Sequence, residues 1–230
     1  KRDQVKYMSF TDYDLSGFNV DTYDYIKLPF ESSGKLKVLF VLDHMPTEDM
    51  ESGRMLSGQT GDLLGALIST TKKLYDSNLS FSWLACSFNA FRTYGKAAEF
   101  RVQAEEAFAK RVEQIICKYK PDYVVAFGTS VMRALIPEKL KEDDRGRIRY
   151  SYWLGVPIKK TVQFSKKLSH ETTILANISL NDIVSGDSAE ANLLGYMCKC
   201  LAPIFGKTYL VDTETVMSKG VVLIDTMKRF

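Results

Sequence analysis

Apolar positions in this chain follow two rhythms, short unbroken runs and stretches in which they recur every three or four residues. The first run, Val38-Leu39-Phe40-Val41-Leu42, is rich in β-branched and aromatic residues and predicts a buried strand. From Thr60 the rhythm turns helical: Leu63, Leu64, Leu67 and Ile68 share a side, predicting a helix over 60–76. Thr60 suits its N-cap, Asp62 its positive end and Lys72-Lys73 its negative end. A second strand is predicted over 81–86. Residues 94–119 carry the clearest stripe, with Phe100, Ala104, Ala107, Phe108, Val112, Ile115 and Ile116 facing a core and charged residues filling the rest. Pro121 closes that helix. A parallel core strand is predicted over 122–127, then Gly128, Thr129 as N-cap and a short helix to Leu135. A last strand over 172–177 leads to a helix over about 188–201.

Strands followed by helices, several times over, predict an α/β fold with a parallel sheet. Residues 1–34 mix aromatics with Asp and Ser without a sustained period, and predict an irregular arm held on the core by its rings. The α/β domain is expected over 35–205. Residues 206–230 contain the strand-like Tyr209-Leu210-Val211 and Val221 to Ile224, and are expected to form an extension or a linker. The chain begins on Lys1 and breaks off in mid-pattern at Phe230, so an excised piece of a longer protein is expected.

The stretch from Lys35 to Leu64 concentrates the chemistry. Its strand ends on Asp43 and His44, both able to do acid–base work. A polar loop with Gly53, Gly58 and Gly61 then runs into a helix N-terminus. A carboxylate at a strand's carboxyl end, followed by a glycine loop and a helix N-terminus, is a common site-building unit of α/β folds. The helix end can take a phosphate, and glycine lets the backbone approach it. Asp43 and His44 are therefore candidate catalytic residues, and Gly58, Gln59 and Thr60 candidate phosphate contacts.

This stretch resembles the first motif of the uracil-DNA glycosylase superfamily, most closely its iron–sulfur branch. That motif runs V-G-E-x-P-G, a short acidic stretch, then G-x-P-F-V-G-x-A-G-x-L-L. Val41 matches the valine, Asp43 falls at the catalytic carboxylate and Asp49 in the acidic stretch. Gly53, Gly58, Gly61, Leu63 and Leu64 follow without a gap, while Leu42, Met45 and Pro46 replace Gly, Pro and Gly. Lys120 to Leu135 is similar to the family's P-x-x-I-V-x-L-G-x-x-A segment, and Arg145-Gly146-Arg147 to its R-G-K turn. The resemblance implies a three-layer α/β/α sandwich around a four-stranded parallel sheet, and base flipping followed by hydrolysis of the N-glycosidic bond.

The departures from the pattern matter as much. Where the family ends its last strand in H-P-A or H-P-S, this chain has Asn177-Ile178-Ser179; an amide can donate to an oxyanion but offers no imidazole. The base-reading asparagine aligns near Ala85, with Asn89 close by as a candidate ligand contact or a turn residue. No cysteine precedes Cys86, so the four-cysteine cluster of that branch is not expected, nor is any other cofactor or metal. The resemblance therefore implies a catalytically degenerate domain acting in DNA binding or protein assembly. Large phage-type DNA polymerases carry such a domain, so a DNA-directed DNA polymerase or another replication protein is the expected parent. The alternative is an active glycosylase for uracil or another deaminated base, using Asp43, His44 and Asn177. A nucleotide-binding domain is a third reading, but neither G-x-G-x-x-G nor a Walker lysine is present.

Composition adds bounds. A chain of 230 residues, 45% hydrophobic, can bury one sizeable core. No run is long enough to span a membrane and no signal-peptide pattern appears, so a cytoplasmic protein, in the host cell if phage-encoded, is expected. The four cysteines, Cys86, Cys117, Cys198 and Cys200, are scattered, and the last two fall on different faces of a predicted helix. A net charge of +3 permits nucleic-acid binding without arguing for it. The basic residues gather in 138–167, where Tyr150, Tyr152 and Trp153 lie among them. Arg145, Arg147 and Arg149 are candidate DNA contacts there, with a solvated hairpin whose rings pack inward as the alternative. DNA and other domains or replication proteins are the expected partners.

Overall fold

The computed structural model describes residues 35–52, 55–89, 98–140, 150–184 and 190–207. The arm over 1–34, Gly53 of the glycine loop, the extension beyond Lys207 and the arginines Arg145, Arg147 and Arg149 lie outside the described residues. In chain order the elements are β1 (Leu36–His44), α1 (Thr47–Ser52), α2 (Gln59–Leu74), β2 (Phe81–Asn89), α3 (Ala98–Tyr119) and β3 (Tyr123–Phe127). There follow α4 (Thr129–Leu135), β4 (Ile158–Ser165), β5 (Leu168–Asn177), α5 (Leu180–Val184) and α6 (Glu190–Cys200).

The strands form one sheet in the order β2-β1-β3-β5-β4. The first four are parallel, and β4 pairs antiparallel with β5 at the edge. The sequence predicts four strands, so β4 is a correction. Its burial alternates: Ile158 and Val162 are buried while Lys159, Thr161 and Gln163 are exposed. Only one face of this edge strand is covered, and its apolar residues, Ile158, Val162 and Phe164, are separated by lysine and polar residues, so no unbroken run betrays it.

The inner strands are covered on both faces, which explains their continuous apolar runs. Leu39 and Val41 of β1 face a core shared with α3 and α4. Val38, Phe40 and Leu42 face the other core, with α2 and α6. The chain leaves β1 through α2 on one face to reach β2, and crosses back through α3 on the other face to reach β3. The strand order reverses between β1 and β3, and the crevice above their carboxyl ends is where open α/β sheets hold ligands. The opposite edge is locked by the chain itself. The Lys37 amide donates to the Asp122 carboxylate at 2.7 Å, Thr173 N–H donates to the Asp122 carbonyl at 3.0 Å, and His170 Nε2 donates to the Pro121 carbonyl at 2.8 Å. Among the described residues no helix is long and apolar enough to cross a membrane.

Candidate functional site

Asp43 is the penultimate residue of β1. By the twofold alternation of the strand it lies on the α3/α4 face, in line with Leu39 and Val41. It rests against Gly128, which links β3 to α4 at φ +91°. A Cβ there would lie 3.0 Å from Asp43 Cβ and 3.1 Å from its Oδ2, so both conformation and space require glycine. The carboxylate thus sits between the carboxyl ends of β1 and β3, in the crevice defined above.

The turn from β5 into α5 completes the site. Ser179 Oγ donates to Asp43 Oδ2 at 2.9 Å, and Asn181 Nδ2 donates to Oδ1 at 2.8 Å. The His44 amide donates to Oδ1 at 3.0 Å, and His44 Nδ1 lies 3.3 Å from Oδ2. Asn181 also donates to the His44 carbonyl at 2.9 Å, while its own Oδ1 lies 3.5 Å from Thr60 Oγ1. Ser179 accepts the Asp182 amide at 3.2 Å and so caps α5. The side chains of Asp43 and His44 remain 16% and 17% exposed, enough for a ligand to reach them. Burial pushes the Asp43 carboxyl up, but the hydrogen bond and charge of His44, then Asn181 and Ser179, more than offset it and hold it below the ordinary 3.8. The site therefore offers an anionic carboxylate joined to an imidazole, a pair suited to moving a proton or steadying positive charge.

Asn177 is not part of this cluster. It follows Leu175 on the α2/α6 face, opposite to Asp43. Its Nδ2 donates to the Met197 carbonyl at 3.2 Å and its Oδ1 accepts the Ile178 amide at 2.9 Å. It ties β5 to α6 rather than facing the crevice.

The glycine loop also differs from expectation. Asp49 is wholly buried and accepts the Leu56 amide at 2.7 Å, the Ser57 amide at 2.8 Å, the Ser57 hydroxyl at 2.9 Å and the Gly58 amide at 3.3 Å. Glu48 Oε2 accepts the Gln59 amide at 3.3 Å. Two carboxylates of α1 thus hold donors that a phosphate at the start of α2 would use. Gly58 and Gln59 belong to this internal clamp, and Thr60 is buried toward Asn181. Asn89 ends β2 with its backbone opposite His44.

In the basic segment, Tyr150–Trp153 form a short 3-10 helix. Arg133 donates to the Tyr150 hydroxyl at 2.8 Å, Lys139 Nζ lies 5.6 Å from the centre of the Trp153 ring, and both rings also pack on the α3/α4 core. Tyr152 is exposed. Among the described residues no group of three or more His, Cys, Asp or Glu is placed to hold a metal. All four cysteines are buried, and burial pushes the Cys86 thiol up to about 12 and the Cys200 thiol upward as well.

Ser179 and Asn181 are the residues that the sequence reading misses. One local signal marks the first: Ser179 with Asp182 three residues on is a helix-start pattern right after a strand. A scan of the chain against protein-family models and a search of curated proteins return no match.

Proposed function

We propose that residues 35–205 form a uracil-DNA glycosylase-like domain that serves DNA binding or protein assembly within a larger replication protein, a phage-type DNA polymerase in our reading. The likeness rests on four parallel strands and a strand-end carboxylate at the point where strand order reverses. The loss of base excision rests on Asn177. It stands where the resemblance requires a base-polarising histidine, and its amide is consumed by the Met197 carbonyl and the Ile178 amide on the far face. The held donors at the start of α2 support the same reading.

A second reading, active excision of uracil or another deaminated base, is favoured by one specific observation. Asp43 is anionic, reaches solvent and carries an imidazole beside it. Base release from a uracil-containing oligonucleotide, read by alkaline strand cleavage with Asp43→Asn as control, separates the two. The binding reading expects no release from a preparation that still shifts DNA in a gel. Release that depends on Asp43 would overturn it, and a preparation that neither releases base nor shifts DNA would remove the nucleic-acid role.

A further inference from the structure

The short 3-10 helix Tyr150–Trp153 sorts its three rings by their spacing. With three residues per turn, positions i and i+3 eclipse. Tyr150 and Trp153 are so spaced, and both pack on the α3/α4 core. Tyr152 falls off that side and is 41% exposed. Among the described residues Leu74 is the one other large apolar side chain so exposed, and it closes α2 on the other face of the sheet. The turn that carries Tyr152 is anchored at three points. Arg133, in the last turn of α4, donates to the Tyr150 hydroxyl at 2.8 Å. The Lys139 ammonium lies 5.6 Å from the centre of the Trp153 ring. The residues that follow join the carboxyl end of β5, where Leu154 bridges Ala176 and the Gly155 amide donates to the Ala176 carbonyl at 2.9 Å. The Tyr152 ring is therefore presented by a fixed turn, and a flat ligand laid on it loses little to ordering.

The charges that flank this turn are basic. Arg133 and Lys139 are both exposed, and Lys139 meets a neutral ring and no carboxylate among the described residues. The acid next to it in sequence, Glu138, accepts the Lys160 ammonium at 3.4 Å. An outward ring beside an uncancelled cation suits a nucleobase joined to its phosphate. Inside a duplex each base is already stacked on its neighbours, so a flat ring meets the face of a base only in a single strand. We propose that Tyr152 is a stacking platform for a base of single-stranded DNA, and that Lys139 holds a neighbouring phosphate. The inference rests on the DNA-binding reading and names its partner and its contact. Neither contact reads the identity of the base, so binding is indifferent to sequence and weakens with salt.

Fluorescence anisotropy of a labelled oligothymidine, titrated with the full chain, tests this. The parent should bind the single strand more tightly than the same strand paired with its complement. Tyr152→Ala should weaken single-strand binding by about 5- to 150-fold, the loss expected for one stacked base. Tyr152→Trp should keep it, since stacking needs a ring and not a hydroxyl. Lys139→Gln should lower the slope of log affinity against log salt by about 0.7, the share of one phosphate on a single strand. An iodouracil oligonucleotide irradiated with the parent should cross-link at Tyr152, located by peptide mass spectrometry. Binding unchanged by Tyr152→Ala, a preference for the duplex, or a Tyr152→Trp variant as weak as Tyr152→Ala overturns the proposal while leaving the DNA-binding reading standing. A parent that binds neither form of DNA removes that reading and the platform together.

Discussion

Two carboxylates six residues apart do different work. Asp49 is wholly buried, and its partners are backbone amides and one hydroxyl from the next few residues. Asp43 is partly exposed, and two of its donors are side chains from positions 136 and 138 residues away. Local amide donors folded around a sealed acid make a loop scaffold. Side-chain donors converging from distant segments on an acid that still meets solvent make a site. Both groups satisfy the rule that buried charge needs partners, so satisfaction alone does not separate structure from function; the origin of the donors and the remaining exposure do.

The largest effect should come from breaking the scaffold. Asp49→Ala strands the amides of Leu56, Ser57 and Gly58 and is expected to cost about 3 kcal/mol or more in urea unfolding. Asp49→Asn retains one acceptor oxygen and should cost clearly less. An equal cost for both would mean that the charge, rather than the number of acceptors, holds the loop.

Gly128→Ala tests the other side of the comparison. It forces a side chain into φ +91° and against Asp43, and should cost about 1–3 kcal/mol. Unlike Asp49→Ala it should also disturb the Asp43 titration, because the added carbon meets that carboxylate. A loss of stability with the Asp43 titration unchanged would sever Gly128 from the site.

Much of the fold is legible along the chain because it rests on local rhythm. The run Val38 to Leu42 lies within β1, Gln59–Leu74 matches the helix predicted over 60–76, and Tyr123–Phe127 matches the strand over 122–127. β5 starts at Leu168 rather than at 172, since its first residues, Leu168 to Glu171, pair only with β4 and are polar after Leu168, so no apolar run marks them. The site is less legible. Asp43 announces itself at the end of an apolar run, but Asn177 and Ser179, two positions apart, would share a face in a continued strand; the turn after Asn177 carries Ser179 to Asp43, and no alternation shows that. Asn181 matters only because α5 folds back over the end of β1, a contact that no short-range pattern encodes.

A middle-sized prediction concerns pH. The folded pKa of Asp43 lies below its ordinary value, so its contribution to stability is present above the ordinary Asp range and lost as pH falls through the lowered value. Parent and Asp43→Asn should therefore differ in unfolding free energy at neutral pH, draw together as pH falls below about 4 and meet only below the lowered Asp43 value. Asn181→Ala should cost about 1–2 kcal/mol and raise the Asp43 carboxyl, read from its carbon chemical shift. A variant with unmoved Asp43 titration would reduce Asn181 to packing.

The smallest effect comes from a third acid that has burial without donors. Glu113 on α3 is partly buried and accepts no hydrogen bond among the described residues. Burial pushes its carboxyl up, and the charges of Lys160 and Lys110 pull back only in part. Its ionised form is therefore disfavoured by folding, in the opposite sense to Asp43. The penalty is full above the raised folded pKa and vanishes as pH falls below the ordinary 4.5. Glu113→Gln removes the charge and keeps the shape, so it should stabilise the domain at neutral pH, by about 0.5 kcal/mol or less given solvent screening, and have no effect below about pH 4. Measured together, the acid limbs of Asp43→Asn and Glu113→Gln should bend in opposite directions. If Glu113→Gln instead destabilises at neutral pH, Lys160 depends on that charge to hold its place between the Leu135 carbonyl and Glu138, and the lysine contact outweighs the cost of burial.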